Sequence, residues 1–77
     1  MIKPKQVTPE KDFKLHVIFD NGKESIIDAS FILLESGPVV DPLKNWEHFQ
    51  KVSIVDGIIS WPTGYDIAPE YLLELAA

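Results

Sequence analysis

At 77 residues, the chain has room for one domain (1–77) and no second. A hydrophobic content of 45% argues against disorder, and the absence of cysteine excludes disulfides, thiolate chemistry and cysteine-ligated zinc. Seven basic against twelve acidic residues give a net charge of −5, which repels a phosphate backbone, so no direct nucleic-acid binding is expected.

Lys5–Pro9 reads as a short first strand, its prolines suiting a sheet edge, followed by a polar turn at Glu10–Asp12. In Phe13–Phe19, apolar and polar residues alternate, which places Phe13, Leu15, Val17 and Phe19 on one face of a strand. Asn21-Gly22 then marks a hairpin, with Lys23–Asp28 as the return strand and Ile26 and Ile27 as its apolar part. Across Ala29–Glu35 the spacing predicts a helix of about two turns, with Ser30 as N-cap and Phe31, Ile32 and Leu34 facing inward. Gly37-Pro38 ends it, and Val39-Val40 is too short to assign, extended chain being one option.

Asp41-Pro42 has the pattern of an N-cap followed by proline at the first helical position. Asn45 caps the next short segment, where Trp46, Phe49 and Gln50 sit at helical spacing. Val52–Val55, the Asp56-Gly57 turn and Ile58–Trp61 form a second hairpin. Pro62 stops the strand and Gly64 turns the chain. Pro69 opens a short helix in which Tyr71, Leu72 and Leu75 face inward while Glu70 and Glu74 face solvent. The expected fold is α+β. It comprises a small antiparallel sheet of two β-hairpins plus a short N-terminal strand, with short helices between them and a short C-terminal helix.

Chemistry is sparse. The glycines are isolated, so no phosphate loop exists, and there is no G-x-S-x-G elbow or His-Glu-x-x-His pair. His16 falls on the polar face of its strand and reads as solvated; His48 lies on a separate element. Asp66 has two readings. Its carboxylate accepts backbone amides in the turn, or it joins Trp61 and Tyr65 in a polar-aromatic patch that a partner reads. No metal or cofactor is expected. The first residues lack the apolar run of a secretory leader, and no segment approaches the roughly 20 apolar residues of a membrane helix, so a cytoplasmic location without membrane attachment is expected.

The segments D-F-K-L-H-V-I-F-D-N-G-K (Asp12–Lys23), P-L-K (Pro42–Lys44), H-F-Q-K-V (His48–Val52) and W-P-T-G-Y-D-I-A-P-E-Y-L (Trp61–Leu72) together resemble a bacterial and archaeal family, domain of unknown function 2442. The resemblance runs from Lys5 to Leu75. It implies a small α+β domain without assigned catalytic residues. Some larger members add a helix-turn-helix domain, for which a chain ending at Ala77 leaves no room; the phosphate loop needed for the molybdopterin-guanine dinucleotide label on others is absent. Family genes often neighbour another small gene, which implies a toxin–antitoxin-like pair. The leading expectation is therefore a non-enzymatic, acidic protein-binding module whose partner is basic and encoded nearby. The alternative is a ligand-binding or catalytic domain whose site forms at a homodimer interface, lined by Trp61, Tyr65, Asp66 and His48.

Overall fold

The computed structural model describes residues 2–76. The first sheet is antiparallel in the order β1 (Pro4–Glu10), β2 (Lys14–Phe19), β3 (Glu24–Asp28). The expected first strand is present on the edge, and the register slips between Pro4, opposite Phe19, and Gln6, opposite Ile18. An amide-less residue belongs at such an irregular edge. Alternation in β2 buries Leu15, Val17 and Phe19. Phe13 is not part of the strand: Asp12 and Phe13 both take left-handed backbone, φ 64° and 58°, which prolongs the preceding turn. In β3 only Ile27 is buried, because neighbours in a strand face opposite ways, and Ile26 is 53% exposed.

The β2–β3 hairpin closes with Phe19 N–H donating to the Lys23 carbonyl (2.8 Å) and Gly22 N–H donating to the Phe19 carbonyl (2.9 Å). Asp20-Asn21-Gly22 is thus a three-residue loop in which Gly22 alone is left-handed, φ 85°.

The expected helix over Ala29–Glu35 is a 3-10 helix, Ser30–Leu34, and two assignments within it change. Ser30 does not cap; its amide instead donates to Asp28 Oδ1 at 2.9 Å. Leu34, expected to face inward, is 89% exposed. With three residues per turn, Ala29 and Ile32 stack on the buried face and Leu34 falls outside it. Val39-Val40 is a turn rather than extended chain, closed by Asp41 N–H donating to the Gly37 carbonyl (2.9 Å). Asp41 is itself the first residue of the 3-10 helix Asp41–Lys44, where its carboxylate holds Lys44 Nζ at 3.0 Å instead of capping. Asn45 does cap α1 (Trp46–Phe49), its Oδ1 accepting the Glu47 amide at 2.9 Å.

The second sheet is β4 (Ser53–Val55), β5 (Ile58–Ser60), β6 (Asp66–Ile67). Asp56 and Gly57, at φ 52° and 78°, form the tight two-residue turn between the first two. β6 adds a strand beyond the expected hairpins, and the strands divide into two sheets rather than one. The chain reverses after Trp61 through a loop bonded like that at Phe19–Lys23. Trp61 N–H donates to the Tyr65 carbonyl (2.9 Å), and Gly64 N–H donates to the Trp61 carbonyl (3.0 Å). Pro62 takes the position where its fixed φ favours a turn, and Gly64 the left-handed one, φ 103°. α2 (Pro69–Ala76) begins at the expected proline and buries Leu72, with Leu73, Leu75 and Ala76 packed on the core; Tyr71 is largely exposed.

One apolar centre serves both sheets: Leu15, Val17, Phe19 and Ile27 from the first meet Ile59, Trp61 and Ile67 from the second, with Ile32, Leu43, Phe49 and Leu72 from the helices. β1 runs beside β4 and β5, and α2 lies against β3. Trp61 is 3% exposed, and its indole N–H donates to the Phe49 carbonyl at 2.8 Å. Replacing Trp61 with Phe removes the shorter of the two bonds that carbonyl accepts, leaving only the Val52 amide at 3.3 Å, and opens a void beside it. The expected loss is about 2–4 kcal/mol of unfolding free energy in a denaturant titration; a loss below about 1 kcal/mol would show that the bond is dispensable.

Candidate functional site

Of the four residues singled out by sequence, Trp61 is part of the core. Its ring lies 5.8 Å from Phe49 and 5.8 Å from Tyr65, and it fixes the loop that carries Tyr65 rather than meeting a partner itself.

Tyr65 is half-buried where four segments converge. Its hydroxyl donates to Glu35 Oε2 at 2.9 Å, tying the end of the first 3-10 helix to the loop before β6. Thr63 Oγ1 donates to the Val39 carbonyl at 2.6 Å, which pins the Pro38–Val40 turn to the same loop. Phe31 meets Tyr71 of α2 edge-on, centroids 5.5 Å apart. Leu34, Val39 and Tyr71 remain exposed around this junction, and Glu35, Asp66 and Glu70 supply exposed acids. The result is an apolar and aromatic surface patch with a negative border, whose central phenol is anchored.

Burial first, and then the Glu35 carboxylate, which accepts the proton's hydrogen bond and opposes a second negative charge, push the Tyr65 hydroxyl up to about 12. Tyr71 and Asp66 act in the same direction. At neutral pH the phenol is therefore a fixed donor.

Asp66 pairs its backbone with Ser60 in β6 and is exposed; no hydrogen bond to its carboxylate is present among the described residues, so neither backbone amides nor Tyr65 occupy it. His48 is exposed on α1, and no hydrogen bond or ring contact among the described residues joins it to Trp61, Tyr65 or Asp66. His16 is not merely solvated: its Nε2 lies 2.7 Å from Glu24 Oε1 across the β2–β3 ladder. Three surface depressions lie elsewhere: beside Phe19 and Leu73, between β1 and β4, and around Lys11, Phe13 and Trp46. Among the described residues no cluster of three or more histidine and acidic side chains is placed to hold a metal ion, and no helix is long and apolar enough to cross a membrane.

Phe31, Leu34, Glu35 and Tyr71 were not recognisable as patch residues. Phe31 packs against the core as its spacing predicts and meets the patch only through Tyr71. Leu34 and Tyr71 carry apolar spacing yet are exposed, and nothing local joins Glu35 to a tyrosine 30 positions away.

The family model described as protein of unknown function (DUF2442) matches residues 4–77. No curated protein and no solved structure matches the chain.

The Tyr65–Glu35 contact has a measurable signature. In an absorbance-monitored alkaline titration, Tyr65→Phe is expected to delete the phase near pH 12, and Glu35→Gln to move it downward. Because the fold favours the neutral phenol, this stabilisation is complete below the ordinary tyrosine value of 10 and is lost as pH rises through about 12. Persistence of the high-pH phase in Tyr65→Phe would refute the assignment.

Proposed function

Because the chain belongs to the DUF2442 family, whose description names no activity, we propose that it is a protein-binding module of the cytoplasm that engages its partner through the Tyr65 patch. The observation that carries this reading is the grouping of exposed Leu34, Val39 and Tyr71 around an anchored Tyr65, within an acidic border. A rigid aromatic centre gives a partner a surface from which water is readily excluded, and Tyr is enriched where binding energy concentrates. The border of Glu35, Asp66 and Glu70, in a chain of net charge −5, attracts a basic protein and accelerates its encounter. Such a partner, encoded beside this chain, would make the two a toxin–antitoxin-like pair, with this chain the acidic and non-catalytic half.

The neighbouring gene product is the partner to test. Titration calorimetry at low salt is expected to give a complex in which Leu34→Ser combined with Tyr71→Ala weakens affinity about tenfold or more, equal to at least about 1.4 kcal/mol. Leu34 is exposed and Tyr71 loses only its edge-on contact with Phe31, so the thermal midpoint should fall by no more than the loss of one aromatic pair, about 1 kcal/mol, allows. Unchanged affinity in the double variant, or no complex at about micromolar concentration, would count against the reading.

A further inference from the structure

The open edge of the first sheet carries a second surface, independent of the Tyr65 patch. β3 pairs with β2 on one side only, and its other side faces no strand. Which residues present their backbone outward follows from parity. Phe19 pairs with Lys23 through Phe19 N–H, and at the other end Ala29 N–H donates to the Phe13 carbonyl. Hydrogen-bonded pairs alternate in an antiparallel ladder, so Ser25 and Ile27 bond inward between these ends, and Glu24, Ile26 and Asp28 direct N–H and C=O outward. Among the described residues no backbone hydrogen bond reaches those outward groups. The same three residues turn their side chains to solvent, Ile26 being 53% exposed between two exposed carboxylates. These already lean on β2, Glu24 toward His16 at 2.7 Å and Asp28 toward Lys14 at 3.7 Å, and keep their other oxygens for a visitor. α2 runs beside β3 but leaves Ile26 uncovered.

We propose that β3 accepts an added antiparallel strand whose three facing residues are basic, apolar and basic, so that they sit opposite Glu24, Ile26 and Asp28. Main-chain bonds supply the attachment and the alternating side chains supply the choice of partner. Charge decides against a second copy of this chain. A two-fold pairing centred on Ile26 puts Glu24 opposite Asp28 twice, and a shift of one repeat puts Glu24 opposite Ile26. Like charges directly opposite are destabilising, whereas Lys or Arg there is favourable. The acids that protect this edge from self-association thereby select a basic visitor.

The probe is a capped peptide with the core Lys-Thr-Val-Thr-Lys, titrated into the full chain and followed by amide NMR. The expected result is perturbation centred on the amides of Glu24, Ile26 and Asp28, weakened by salt. A peptide with Glu in place of both lysines should leave these amides unmoved. Ile26→Pro removes one outward donor without touching the β2 ladder, and should reduce affinity about tenfold. If circular dichroism shows that this variant does not fold, Ile26→Lys, which repels the peptide, replaces it with the same expectation. Leu34→Ser with Tyr71→Ala should bind the peptide normally, which separates this edge from the patch proposed above. Equal binding of the acidic peptide, full affinity in the Ile26 variants, perturbations centred on Tyr65, or no shift at about millimolar peptide would each overturn the proposal.

Discussion

The donation from the Trp61 indole to the Phe49 carbonyl is the constraint from which the rest of the arrangement follows. α1 is only four residues long, and a helix of that length has too few internal bonds to persist alone. Its last turn is held by a tryptophan from the end of the second sheet, while Phe13, at the mouth of the first, stacks edge-on against the other side of Phe49 at 5.3 Å. A run of rings from Phe13 through Phe49 and Trp61 to Tyr65 thus crosses the molecule. The first two junctions join segments that share no ladder, and the third braces the turn between β5 and β6. In a domain this small, where the share of surface that can be hidden is limited, aromatic contacts concentrate burial where aliphatic ones would not reach.

The surface chemistry is an outgrowth of that chain of rings. Tyr65 is fixed because Trp61 beneath it is fixed, and its hydroxyl then reaches Glu35 across an interval no local element spans. Of the exposed residues nearby, Leu34 and Val39 sit on short 3-10 and turn segments whose shape depends on packing more than on intrinsic preference, and Tyr71 on α2. Carboxylates dominate the exterior, and two of them are held low by neighbours. Ser30's hydrogen bonds keep Asp28 below its ordinary value, and Lys44 does the same for Asp41. The negative charge therefore persists into mildly acidic solution.

How much of this was legible depended on whether a local rule decided the matter. The α+β class was legible, as were the Asn21-Gly22 and Asp56-Gly57 reversals, the Asn45 cap and the start of α2 at Pro69, because each is set by residues within one turn of chain. Pro62 was correctly read as ending a strand. That the chain then folds back as β6 was hidden, since two residues are too short to show any period. The orientation of Leu34 was hidden because a three-fold helix and a 3.6-fold helix send the same spacing to different faces. Tyr71 lies on a true α-helix, where Leu72 takes the buried position and Tyr71 borders the apolar stripe. The site suffered most: its parts lie on four segments, and only Tyr65 and Asp66 could be suspected from their neighbours.

Every strand in both sheets pairs with the strand next to it in sequence. Such ribbons close over short loops, so the entropy surrendered before each gains its reward is small, and rapid assembly by local nucleation is the natural route. What must arrive late are the few long reaches, β1 beside β4 and α2 against β3, which bring the two ends of the chain back across the finished ribbons. α2 therefore acts as the clasp of this molecule, and removing it would loosen the middle before it disturbed either ribbon.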